Sequence, residues 1–296
     1  MMKKELKEVK INIITYYLSS FRDFFNETGV NFVVTTPSTT TILRENSFCE
    51  VSKMSQISIS SSITTIKSNA FSDCTSLEEV SIPSSSSLNE IGESAFYYCT
   101  SLRSISIPSS VTSINDFVFQ ECSKLRQISI PSSATFIGDY AFDRCSSLLE
   151  ISFPSSVVTI GDFAFRECSS LKQINFDIHS SLSSIGDFAF KECKSLTAIS
   201  IPPHIVSIGE YAFKGCLNLI GISMPYSLTS VGNEAFEKCP KLEQITIPLT
   251  APPIKIGSSS STPIITQISN PNSAKRKSIG ISPDVKIVKS SKCTIF

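Results

Sequence analysis

Between residues 51 and 248 the apolar positions fall in one arrangement that returns every two dozen residues, seen plainly in residues 102–122, LRSISIPSSVTSINDFVFQEC. Leu102, Ile105 and Ile107 mark the start of the unit, and Ser104 and Ser106 alternate with the isoleucines, which is the period of a short strand with one buried face. Pro108 has no amide to donate and ends that strand. After a further aliphatic residue comes Ile-Gly-Asp/Glu, and then Ala-Phe-x-x-Cys. The Phe falls at Phe71, Phe96, Phe119, Phe142, Phe165, Phe190, Phe213 and Phe236, and the Cys at Cys74, Cys99, Cys122, Cys145, Cys168, Cys193, Cys216 and Cys239, so successive cysteines stand 25, 23, 23, 23, 25, 23 and 23 residues apart. A period of this length predicts a solenoid, in which each coil buries its apolar face against its neighbours.

Within a coil, the Gly is expected to permit a tight bend. The acid after it (Glu93, Asp116, Asp139, Asp162, Asp187, Glu210) is placed to cap a helix, and Ala-Phe-x-x-Cys to form one or two helical turns with the Phe in the core. The two longer units carry their extra residues after Ile82 and after Phe176, in one and the same loop.

Flanking segments complete the organisation. Residues 1–29 read as an amphipathic helix, because Leu6, Val9, Ile13, Tyr17, Phe21 and Phe24 recur at threes and fours before Gly29. Its apolar stripe suits a cap on the open end of the solenoid; with Lys3, Lys4, Lys7 and Lys10 it also suits a helix lying on a membrane. Residues 30–50 form a degenerate repeat, in which Phe48 takes the Phe place and Val51 the Cys place. Residues 249–296 lose the period and are rich in Ser, Pro and Lys, the composition of a flexible tail.

The I-P-x-x-[IV]-x-x-I-G-x-x-A-F-x-x-C-x-x-L pattern of residues 51–248 resembles the BspA-type, cysteine-bearing leucine-rich repeats of bacterial surface proteins and anaerobic protists. The resemblance implies an α/β leucine-rich repeat solenoid, with a parallel β-sheet on the concave face and short helical turns on the convex side. It also implies binding of other macromolecules, adhesion in surface members, and no enzyme.

Charge and candidate chemistry refine this reading. Lys+Arg and Asp+Glu are equal at 26 each, so no overall field would collect nucleic acid. Beyond residue 248, seven basic residues face a single acid, Asp284. No apolar run is long enough for a transmembrane helix, and the first residues do not read as a secretory signal, so a cytosolic chain with reduced thiols is expected. One thiol per coil makes a single file and does not gather four ligands around an ion; a small buried core residue is the expected role of each. His179 and His204 occupy matching loop places in neighbouring coils, where solvated side chains are expected and a two-His metal site is the alternative. No phosphate loop, nucleophile–base pair or paired carboxylates stand out, and no catalytic residue, metal or cofactor is expected.

Two features carry the functional expectation. The outward strand positions Glu79, Ser81, Arg103, Ser104, Ser106, Arg126, Gln127, Ser129, Glu150, Ser152, Lys172, Gln173 and Asn175 form a candidate face for a protein partner. The chain ends Cys293-Thr294-Ile295-Phe296, a match to the C-a-a-X prenylation signal, behind Lys275, Arg276, Lys277, Lys286, Lys289 and Lys292. A prenyl group on Cys293 and these basic residues are expected to act together on an anionic leaflet, and a phosphate on Ser278 would offset part of that charge. The expected function is a non-enzymatic protein-binding solenoid tethered to the cytoplasmic face of a membrane, the plasma membrane first. A cell-surface adhesin and a cytosolic regulatory subunit of an enzyme are the alternatives.

Overall fold

The structure, a computed structural model, describes residues 7–10, 26, 32–248, 255–256, 264–268 and 287–290. The chain divides into two compact units, Met1–Leu148 and Leu149–Phe296. Each is a parallel β-solenoid of stacked coils, in which one longer and one two-residue strand per coil build two ladders.

In the first unit the longer strands Phe32–Thr35, Met54–Ser58, Glu79–Ser81, Ser104–Ser106 and Gln127–Ser129 lie side by side in coil order. The short strands Ile42–Leu43, Thr65–Ile66 and Glu90–Ile91 form a second ladder, and Ser113–Ile114 pairs with Phe136–Ile137. In the second unit Glu150–Phe153 pairs with Gln173–Phe176, and Ala198–Ser200, Gly221–Ser223 and Gln244–Pro248 continue in parallel. Its short strands are Thr159–Ile160, Ser184–Ile185, Ser207–Ile208, Ser230–Val231 and Lys255–Ile256. Register follows the repeat, with Ile105 beside Ile128 and Ile199 beside Ile222.

Side-chain volume explains why the stack is dry. Ring centroids of Phe48, Phe71, Phe96, Phe119 and Phe142 follow one another at 5.2, 5.1, 5.5 and 5.4 Å, with planes no more than 15° apart. Phe165, Phe190, Phe213 and Phe236 do the same in the second unit at 5.2, 5.4 and 5.6 Å. Offset stacking of this kind adds to the burial of large apolar surfaces. The Leu, Ile and Ala of the rule are buried around the rings.

The expected helical turns are absent between Phe32 and Pro248, and backbone hydrogen bonding shows why. Ala70, Ser72 and Cys74 donate within their own coil to Lys67 O (3.3 Å), Asn69 O (3.1 Å) and Phe71 O (3.2 Å), three residues back. The amides between them, of Asn69, Phe71 and Asp73, donate instead to Glu93 O, Ala95 O and Tyr97 O of the next coil, at 3.0, 2.8 and 2.8 Å. A helix would turn every amide inward along its own axis. Sending alternate amides to the neighbour gives overlapping β-turns instead, with Asn69 (φ 54°) and Asp73 (φ 60°) in the left-handed region. The same paired places recur at Ser94 and Tyr98, Phe117 and Glu121, and Phe188 and Glu192. Each costs a non-glycine residue about 1 kcal/mol, which the bond to the next coil offsets.

The glycine and the acid also act between coils. A β-carbon on Gly138 would lie 2.6 Å from Asn115 C and Asp116 N, so the glycine is needed for close approach of the preceding coil and not for a bend. Its amide donates to Ile114 O at 2.7 Å; at Asn115 the side-chain Nδ2 fills the equivalent place, donating to Ile91 O at 2.7 Å. The acid does not cap a helix. Asp116 Oδ1 accepts from the Asp139 amide (2.8 Å), Asp162 Oδ1 from Asp187 (2.7 Å), and Asp187 Oδ1 from Glu210 (2.6 Å).

The flanking segments differ from expectation where they are described. Lys7–Lys10, expected in a helix, is a strand parallel to Phe32–Thr35, which closes the backbone edge of that sheet. Asn26 is helical, and its carboxamide accepts from the Ser52 amide at 3.0 Å and donates to Glu50 O at 2.9 Å. The rest of 1–29 lies outside the described residues. In the expected flexible tail, Ile264–Ile268 and Ile287–Ser290 add parallel strands beyond Gln244–Pro248, using the edge groups that strand leaves free.

Phe96→Ala removes one ring from a continuous file and is expected to cost about 3–5 kcal/mol. Gly138→Ala, which adds a single carbon, is expected to cost about 1–3 kcal/mol through the clash between coils. Urea unfolding midpoints of both variants check the order.

Candidate interaction face

Strand alternation that buries Val80, Ile105 and Ile128 turns their neighbours outward. In the first unit Glu79, Ser81, Arg103, Ser104, Ser106, Arg126, Gln127 and Ser129 are all exposed. Glu79, Ser104 and Gln127 stand in register across three strands. Arg103 Nε lies 3.5 Å from Glu78 Oε2, an exposed pair that contributes at most about 1 kcal/mol. In the second unit Glu150, Ser152, Lys172 and Gln173 are exposed. Asn175 is half-buried, donating to Ser152 Oγ at 3.2 Å and accepting from Gln173 Nε2 at 2.7 Å. Each unit therefore presents its outward residues as a low polar floor. Cys293, Lys275, Arg276, Lys277, Lys286 and Lys292 lie outside the described residues, and of Lys289 only the backbone, in the Ile287–Ser290 strand, is described.

The file of thiols is structural. Cys74, Cys99, Cys122 and Cys145 donate Sγ–H to the carbonyl of the preceding coil's Phe48, Phe71, Phe96 and Phe119, at 3.0, 3.1, 3.2 and 3.1 Å. Cys193, Cys216 and Cys239 do so to Phe165, Phe190 and Phe213. The same carbonyls accept an amide from their own coil, so both lone pairs are used. Burial pushes the thiols of Cys74, Cys99, Cys122 and Cys193 well above their usual range, so they stay protonated. Cys239, 9% exposed at the partly open end of the file, is shifted down by Cys216, whose thiol proton would turn from Phe190 O to the neighbouring sulfur when Cys239 ionises.

His179 and His204 are both exposed in turns, and among the described residues no group of three His, Cys, Asp or Glu is placed to hold a metal ion.

A surface feature escaped the sequence reading. The unspecified residue between the acid and the Ala-Phe pair is aromatic at Phe117, Tyr140, Phe163, Phe188 and Tyr211. These rings are half-buried and stack outside the core: Phe117 on Tyr140 at 5.0 Å, and Phe163, Phe188 and Tyr211 in succession at 4.5 and 4.8 Å. Arg166, Lys191 and Lys214 stand over the last three, at 5.2, 5.3 and 4.6 Å from the ring centres. The signal was a recurring aromatic in the 23-residue register, in a place where the rule recorded no preference.

A parallel solenoid whose coils set Leu, Ile, Phe and Cys in files defines a leucine-rich repeat protein. The chain belongs to the BspA type leucine rich repeat family, whose description matches in six copies over residues 21–149, 89–177 and 172–280. It is similar to the leucine-rich repeat protein of T. pallidum, with 28% identity over 56% of this chain and 78% of that one and a TM-score of 0.51. Its fold is also similar to that of the pneumococcal vaccine antigen PcpA, with 19% identity, 90% of this chain and 85% of that one covered, and a TM-score of 0.51. No curated protein matches the sequence.

Iodoacetamide at neutral pH is expected to alkylate Cys239 ahead of the other cysteines of the file, as mapped by peptide mass spectrometry; uniform labelling would contradict the assignment. Below about pH 8 the buried thiols are protonated in both the folded and unfolded chain. Above it only the unfolded chain releases those protons, so the urea midpoint is expected to fall as pH rises from 8 to about 10.

Proposed function

We propose that the chain is a non-enzymatic protein-interaction solenoid, tethered to the cytoplasmic face of a membrane by a prenyl group on Cys293 and by the basic residues Lys275, Arg276, Lys277, Lys286, Lys289 and Lys292. The observation that carries the interaction role is the in-register, exposed rows of the long-strand faces, running from Glu79 to Gln127 and from Glu150 to Gln173. They offer hydroxyl, amide and charged groups, while the thiols of the file are engaged with backbone inside the core. Membership of the BspA type family supports a macromolecule-binding role in general.

The tether rests on the sequence. Cys293 stands outside the 23-residue register, so packing of coils does not account for it. A single prenyl chain holds a membrane weakly, and six basic residues at about 1 kcal/mol each near an anionic leaflet supply the second signal. A surface-antigen role is the second reading, favoured by the family to which the chain belongs.

Metabolic labelling with a prenyl precursor is expected to mark the wild-type chain and not Cys293→Ser, and cell fractionation to move that variant from membrane to supernatant. Equal membrane recovery of the two would remove the tether. Protease shaving of intact cells leaves the chain uncut on the first reading and cleaves it on the second.

A further inference from the structure

Two neighbouring coils of the second unit differ from all others in charge. From Ser195 to Gly209, and again from Gly215 to Asn233, there is no Asp, Glu, Lys or Arg, whereas the corresponding stretch of every other regular coil contains at least one. On the long-strand face this leaves Thr197, Ala198 and Ser200 beside Ile220, Gly221 and Ser223, joined by the Ala198–Gly221 register and by the Ile220 amide donating to Thr197 O at 3.0 Å. Ile220 is 57% exposed and Tyr226, in the turn after the strand, 60%. Aliphatic and aromatic side chains standing over a floor of small residues, with charge withdrawn, have the composition of an interface centre.

Charge returns on the two flanks with opposite sign. At the matching places of the repeat stand Lys172, one coil before Thr197, and Glu243, one coil after Ile220, both exposed. The Glu243 amide donates to Ile220 O at 3.3 Å, which fixes that side of the row. A twofold axis parallel to the strands, midway between the two uncharged coils, maps this row onto itself with its order reversed. Lys172 of one copy then meets Glu243 of the other, Ile220 meets Thr197, Ala198 meets Gly221, and Tyr226 meets Pro203. Large side chains fall opposite small ones, and unlike charges opposite each other, twice in every pair.

We propose that this face, centred on Ala198 and Gly221, is the self-complementary interface of a twofold homodimer, closed at its two ends by Lys172–Glu243 pairs between copies. The occupant is a second copy because the sequence of charges along the row complements its own reversal, which is the condition an isologous contact imposes. A partner of uniform charge would meet attraction at one flank and repulsion at the other.

Sedimentation velocity of the full chain over a wide concentration range tests this, with Lys172→Glu, Glu243→Lys and the double exchange compared. Each single reversal sets like charges together at both ends and is expected to weaken dimerisation by at least about tenfold, while the double exchange restores it. Ile220→Asp is expected to abolish it while leaving the melting temperature of the dilute, monomeric chain unchanged, since the side chain is exposed in the single chain. A wild-type chain that stays monomeric throughout, or a dimer indifferent to the reversals, would overturn the proposal. So would an Ile220→Asp variant that is fully folded and still dimeric. Prenylation at Cys293 can fail its own test with no bearing on this one.

Discussion

The structure depends on backbone amides that are shared between coils. In each coil the turn residues send one amide to a carbonyl of their own coil and the next to the coil beyond, as Ser72 and Asp73 do. That alternation locks neighbouring coils at strand spacing in the turns as well as in the sheets. It holds the phenylalanine rings a little over 5 Å apart, close enough to stack and too close to admit water. Once the spacing is set, whatever stands at one place in the repeat meets its counterpart in the next coil.

This constraint gives several side chains a meaning that composition alone does not. Cysteine is retained because a small sulfur donor reaches a buried carbonyl of the preceding coil, where an alanine would leave that oxygen half-satisfied. The aspartate after the glycine reaches forward to an amide of the following coil, as Asp187 does to Glu210. The glycine is required by the backbone that passes 2.6 Å from where its β-carbon would be. The outward positions are left to solvent, where the same register lays polar and charged residues in rows whose order can be read directly from the sequence.

Much of this was legible in the chain. The 23-residue spacing of Phe119, Phe142 and their equivalents fixes a solenoid, and alternation around Ile105 and Ile128 fixes the strands and their outward residues. Ala-Phe-x-x-Cys was misread as helical because its apolar spacing of one and three fits a helix turn as well as a pair of β-turns. Left-handed residues such as Phe117 and Glu121 carry no sequence mark, since neither Gly nor Asn stands there. Lys7–Lys10 was misread for a similar reason: a short amphipathic segment takes its conformation from the sheet edge it meets.

The sequence by itself determined the repeat, its period, the identity of the core and which residues face outward, because periodic burial must be written into the order of the side chains. Only the tertiary structure decided where alternate amides go, why glycine and aspartate hold their places, and that Phe163, Phe188 and Tyr211 stack outside the core. Those outcomes depend on contacts between residues some 23 positions apart, and a contact between coils has no local signature in either partner until the neighbouring coil is in place.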